Sequence, residues 1–162
     1  MMTKFLSRKK YRPGVGIILL NQKKQVFIGQ RADSVVETWQ MPQGGIDGEE
    51  APLEAALREL MEEVYTNNVE LIQTSARWYY YDLPMELQPI LWDNQYVGQK
   101  QKWFLFKYLG ADAEINIKTG QLELIAWKWT KFADLPNIIV YFKKQLYLDL
   151  VEEFESTIKN LA

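Results

Sequence analysis

The chain has 162 residues, 48% hydrophobic, 14% aromatic and 25% charged, with a formal net charge of −2; this suits one soluble domain with its own core, and a polyanionic partner would have to be met by local clusters of Arg and Lys. It contains neither Cys nor His, which excludes a thiolate nucleophile, a disulfide, a Cys/His zinc site and a His general base. None of its four serines, Ser7, Ser34, Ser75 and Ser156, lies in a G-x-S-x-G turn, so acid, base and metal chemistry falls to carboxylates.

Met1 to Tyr11 is basic but lacks the apolar stretch of a signal peptide, and no run of about 18 apolar residues follows, so a cytoplasmic location without membrane contact is expected. Gly14 to Leu20 and Gln25 to Arg31 read as two strands joined at Asn21 to Lys24, a hairpin. Ala51 to Val64 places Leu53, Ala56, Leu57, Leu60, Met61 and Val64 at helical spacing, with Pro52 in the first turn, and predicts an amphipathic helix buried along that stripe. Strand-like runs follow at Val69 to Thr74, Arg77 to Asp82, Lys102 to Tyr108 and Ala126 to Thr130; Leu83 to Gly98, with two prolines, reads as a long loop. The last helix opens near Phe142, with Phe142, Leu146, Leu150, Phe154 and Ile158 every fourth residue. The order predicts an α/β (α+β type) fold, a mixed sheet sandwiched between helices in a single domain over 1–162.

The chemistry concentrates in Gly44 to Glu63, GGIDGEEAPLEAALRELMEE. Glu59, Glu62 and Glu63 stand at i, i+3 and i+4, so their carboxylates crowd an exposed face opposite the apolar stripe. Like charges at that spacing destabilise a helix by about a few tenths of a kcal/mol per pair, a cost a hard divalent cation reverses. Taken alone, an acidic pair on a helix is more often a solvated face. The whole segment weighs more: Gly44, Glu50, Arg58-Glu59, an apolar residue and Glu62-Glu63 stand in the register G-x5-E-x7-R-E-U-x-E-E-x-G-U.

That register resembles the box of the Nudix hydrolases, here 44–66. Further matches, Tyr11-Arg12-Pro13, Trp39 to Gly45, Gly98-Gln99-Lys100-Gln101-Lys102-Trp103-Phe104, Trp127-Lys128-Trp129 and Phe142-Lys143, are similar to the bacterial RNA 5′-pyrophosphohydrolase branch, which also includes dinucleoside polyphosphate hydrolases. The resemblance implies the Nudix fold and cleavage of phosphoanhydride bonds with magnesium, for which manganese or another divalent cation can substitute. It implies Glu59, Glu62, Glu63, Glu123 and the Gly44 backbone as metal ligands, with Arg58 holding a neighbouring Glu in place. Glu123 is the first candidate for general base and Glu59 the second; a lone loop Glu such as Glu123 is otherwise usually just solvated. Arg12, Arg31, Lys102, Phe142 and Lys143 are the substrate-binding candidates, cations for phosphate and an aromatic for a base. Phe142 reads equally well as the first core position of the last helix, and Trp103, Trp127 and Trp129 as core.

The implied substrate is a triphosphorylated RNA 5′ end, losing pyrophosphate to water. The alternatives are a dinucleoside polyphosphate hydrolase of the diadenosine tetraphosphate type and, less favoured, a non-catalytic nucleotide-binding module. This sequence departs from the box at Tyr65 and Thr66, where Gly and an aliphatic residue are usual, and places Gly48 one residue early. Since the box glycine supplies a left-handed helix end that is costly for Tyr, Asn67 and Asn68 are the candidates to take over that role. Helical spacing also predicts that Glu54 and Glu62, four residues either side, pair with Arg58.

Overall fold

A computed structural model describes residues 10–31, 38–118 and 124–162. Strands β1 (Lys10–Leu20) and β2 (Gln25–Arg31) form the predicted hairpin, with Leu20 opposite Val26. Its turn is closed by the Asn21 side chain, whose Oδ1 accepts the amides of Lys23 at 3.0 Å and Gln25 at 2.9 Å, the local bonding that makes Asn a turn residue. Two short strands follow, β3 (Trp39–Gln40) and β4 (Gln43–Gly45), then helix α1 (Pro52–Val64). Next come β5 (Val69–Thr74), β6 (Tyr79–Asp82), β7 (Tyr96–Tyr108) and β8 (Leu124–Lys131). A 3-10 turn, Tyr141–Lys143, leads into helix α2 (Lys144–Asn160).

The eight strands form one mixed sheet in the order β3-β2-β1-β7-β5, with β4 on β1, β6 on β7 and β8 on β2. β1 and β7 run parallel; the other pairs are antiparallel. Alternation along β1 feeds two cores. Val15, Ile17 and Leu19 pack with Phe104, Phe106 and the Ala56, Leu60 and Val64 side of α1. Ile18 and Leu20 pack with Trp103, Leu105 and the Leu146, Leu150, Phe154 and Ile158 stripe of α2. The helices therefore cover opposite faces of the sheet.

Three local expectations are corrected. β7 starts at Tyr96, inside the predicted loop, because its inward positions there are Gln99 and Gln101, buried amides that hydrophobic alternation does not flag. The buried arc of α1 is rotated from the predicted stripe: Ala55, Ala56, Glu59, Leu60, Glu63 and Val64 are buried, while Leu53, Leu57 and Met61 are each 37% exposed. And the left-handed helix end is Tyr65 itself, at φ 63° and ψ 45°, with its amide donating to the Met61 carbonyl at 3.1 Å; neither Asn67 nor Asn68 takes that role.

Candidate active site

β4 lies against α1 at one point of closest approach. A Cβ on Gly44 would fall 1.9 Å from Cδ of Glu59, so any larger residue there would displace the Glu59 carboxylate. Glu59 and Glu63 are buried at 7% and 3% exposure, and only Glu62, with its side chain 53% exposed, faces solvent. The acidic cluster is thus on the buried flank of α1 rather than on the exposed face that the helical wheel predicts. A Glu63 carboxylate oxygen accepts the Gln43 amide at 3.1 Å, tying α1 to β4.

Arg58 is the hub of this corner. It grips Glu50 with two donors, at 2.9 and 3.0 Å, and donates to the Gly45 carbonyl at 2.8 Å, Glu59 at 2.9 Å and Glu62 at 3.2 Å. The bidentate Glu50 pair is the strong geometry for a guanidinium; it raises the pKa of Arg58 and lowers that of Glu50. Of the two predicted helical partners Glu62 is present, whereas Glu54 turns back to the Ala51 amide, at 3.4 Å, in the first turn of α1. Among the described residues no three acidic side chains converge as a metal site requires, since Arg58 draws Glu59 and Glu62 to itself. The donor chemistry nevertheless suits a hard cation: oxygen only, with two buried carboxylates beside the bare Gly44 backbone.

A cavity of about 320 Å3 opens beside Gly44 and Glu59, at the small end of the range for ligand pockets. Arg12, Arg31 and Lys143 supply its positive charge, and Tyr81, Trp92 and Phe142 its aromatic walls. Lys143 is 7% exposed, its Nζ donating to Oε1 of Gln40 at 3.1 Å and of Gln43 at 3.4 Å and lying 5.2 Å from the Tyr81 ring centre. Burial and the nearby Arg31 push its pKa down to about 8, against the opposing pull of Glu63. Phe142 answers both of its readings, because it packs against the α2-side core and lines the cavity, 6.1 Å from Tyr81 between ring centres. Arg12 lies 5.1 Å over Trp92.

The cavity therefore brings together Arg12, Arg31, Phe142, Lys143, Gly44 and Glu59. Lys102 does not join them; its side chain lies on the α1 side of the sheet beside Trp78. Glu123 lies outside the described residues. Sequence reasoning missed Gln40, Gln43, Tyr81, Trp92 and Gln99, which also line the cavity. The available signal was the Gln-Lys-Gln-Lys alternation from Gln99 to Lys102, which is strand-like in polarity though not in hydrophobicity.

Residues 10–150 match the model of the NUDIX domain. The chain belongs to the NUDIX family. The RNA pyrophosphohydrolase of Rickettsia prowazekii (strain Madrid E) is 47% identical over 149 residues, covering 92% of both chains. That of Wolbachia sp. subsp. Drosophila simulans (strain wRi) is 50% identical over 153 residues, covering 94% of both. Among solved structures, the E. coli dihydroneopterin triphosphate pyrophosphohydrolase superposes with a TM-score of 0.66 at 21% identity, over 89% of this chain and 99% of that one. A C. elegans Ap4A hydrolase superposes at 0.62 and 16%, over 88% and 98%. At these identities the superpositions show the NUDIX fold alone. Within the NUDIX box of this chain, the departure at Tyr65 falls at the C-terminal end of α1, after Glu59 and Glu63 in the chain. No helix among the described residues is long and apolar enough to cross a membrane.

Proposed function

We propose that this NUDIX hydrolase removes pyrophosphate from the triphosphorylated 5′ end of RNA, using a divalent cation. The observation that carries the reading is the cavity itself, which sets Arg12, Arg31 and Lys143 and the aromatic Phe142 directly against the Gly44 and Glu59 corner. Phosphates meet cations and a base meets a ring, next to carboxylates suited to hold a hard ion. The Rickettsia and Wolbachia relatives, each an RNA pyrophosphohydrolase, match over nearly the whole chain and support the same substrate class.

Glu59, Glu62 and Glu63, the Gly44 carbonyl and Glu123 are the groups that would hold magnesium, or manganese in its place. When bound, such an ion neutralises phosphate charge and acidifies a coordinated water. The protein's own residues then divide the remaining work. Arg12, Arg31 and Lys143 bind the phosphates, and Phe142 stacks a base. Arg58 positions Glu59 through the 2.9 Å bond rather than touching substrate. Glu123 is the first candidate to take the proton of the attacking water and Glu59 the second. Water oxygen bonds to phosphorus, the anhydride P–O bond breaks, and pyrophosphate leaves a 5′-monophosphorylated RNA.

The deciding experiment compares kcat/KM for a triphosphorylated RNA of two or more nucleotides with that for diadenosine tetraphosphate and for free nucleoside triphosphates. RNA should be preferred. A clear preference for diadenosine tetraphosphate replaces this reading with a dinucleoside polyphosphate hydrolase, and no turnover of any of the three would leave a binding module.

A further inference from the structure

The segment Gly98 to Phe104 divides its polar residues between the two faces of the sheet. Gln99 and Gln101 turn inward, 1% and 0% exposed, one at the cavity and the other donating to Oε1 of Gln43 at 2.8 Å. Lys100 and Lys102 turn the opposite way, and their Nζ atoms lie 5.6 and 6.0 Å from the centre of the Trp78 ring. Opposite Lys100 stands Tyr80, 54% exposed, whose ring meets that of Tyr11 edge-on at 5.0 Å. Asp82 on the same face accepts the Tyr11 hydroxyl at 2.6 Å. Among the described residues neither lysine is paired with a carboxylate. Core packing does not account for a half-exposed Tyr beside two lysines gathered on one indole.

The register places this strip next to the candidate active site. Lys102 is level with Val15, and Val15 is opposite Gly44, so all three positions share the face that α1 covers. Neighbouring strands lie about 4.8 Å apart, which puts Lys102, the near end of the strip, within about 10 Å of the Gly44 backbone. Surfaces that hold single-stranded nucleic acid combine backbone-tracking cations with exposed rings on which bases stack, the combination found here.

We propose that Trp78, Tyr80, Lys100 and Lys102 form a docking track for the single-stranded RNA chain downstream of the reacting 5′ end, the lysines on its phosphates and Tyr80 on a base. The inference rests on the RNA reading above for its biological sense, and its test is built to fail separately. The probe is a 5′-hydroxyl oligoribonucleotide of about twelve nucleotides, which carries no anhydride and spans the usual length of such a site. Its binding is followed by fluorescence anisotropy for the wild type, Lys100→Gln/Lys102→Gln and Tyr80→Ala, with Lys23→Gln/Lys131→Gln as a control of equal charge loss. Glutamine keeps much of the side-chain stem over Trp78. The wild type should bind and the lysine pair should weaken binding about tenfold. The slope of log affinity against log salt should fall by about 1.4, roughly 0.7 for each phosphate that is no longer neutralised.

With triphosphorylated substrates, Lys100→Gln/Lys102→Gln should raise KM for a long RNA far more than for a dinucleotide. The track is refuted if the wild type does not hold the 5′-hydroxyl RNA, or if the control variant weakens it as much. Equal losses on long and short substrates also count against it, because they would put the lysines in the cavity's own work. If the 5′-hydroxyl RNA binds through these residues while triphosphorylated RNA is not hydrolysed, the track stands and the proposed reaction falls.

Discussion

Lys143 is a cation where burial works against charge, and that sets a pH limit on the cavity. Its pKa stands near 8, below the ordinary 10.5, through burial first and Arg31 second. It carries its charge for phosphate below about pH 8 and loses it above. The sign for stability is opposite. Between about 8 and 10.5 the unfolded chain binds the proton that the native chain has released, so this group's contribution to folding stability grows with pH over that window. We therefore predict that kcat/KM for triphosphorylated RNA falls above about pH 8 through KM, with no matching loss of fold. Arg31→Gln should move that alkaline limb upward, since Arg31 helps to depress the pKa, and Lys143→Arg should abolish it, because a guanidinium stays protonated. An unchanged limb in Lys143→Arg would assign it to another group. The chain has no His, so an imidazole is not a competing assignment.

At the scale of elements, α1 shows where local preference gives way to the site. Its end at Tyr65 is a left-handed residue with a Cβ, at a cost of about 1–2 kcal/mol. The side chain is 53% exposed and so recovers little of that cost by burial. Tyr65→Gly should raise stability by about 1 kcal/mol, a melting shift of about 2–4 °C for a chain of this size. A lower melting temperature would mean that the exposed ring contributes more than the backbone loses. The sequence made this strain readable as a departure, though not its location, because Asn67 and Asn68 offered cheaper left-handed residues that tertiary structure did not use. The hairpin, β5 and both helices were legible because periodicity and turn chemistry agreed there. β3, β4 and the first half of β7 were not, being short or carried by Gln and Lys. The same limit hid half of the cavity: charges and Phe142 can be picked out of a sequence, whereas Gln40, Gln43 and Gln99 acquire meaning only when strands bring them together. The helical wheel likewise placed Leu53, Leu57 and Met61 inside and the carboxylates outside, since spacing alone cannot say that β4 packs against the acidic flank.

At the scale of the molecule, the candidate site is where the two cores meet, and Gln43 joins them. Its amide donates to Glu63 of α1, while its side-chain oxygen accepts from Gln101 of β7 and from Lys143 at the entrance to α2. An ion held at the Glu59 and Glu63 corner would therefore favour the assembled molecule over the unfolded chain, and linkage makes that measurable: a ligand at about 100 times its Kd stabilises by about 2.7 kcal/mol. We predict that magnesium raises the melting temperature of the wild type by several degrees and that of Glu63→Gln by much less. Without magnesium, Glu63→Gln should melt close to the wild type, because the amide oxygen can still accept the Gln43 N–H. Turnover of triphosphorylated RNA by that variant should be abolished at saturating magnesium. Equal magnesium shifts in both proteins would place the ion elsewhere, and only a severalfold loss of kcat would remove Glu63 from the reaction. A variant that melts far below the wild type without magnesium would instead make Glu63 a structural link between α1 and β4. The metal reading requires the combination of a retained fold, a lost shift and lost turnover.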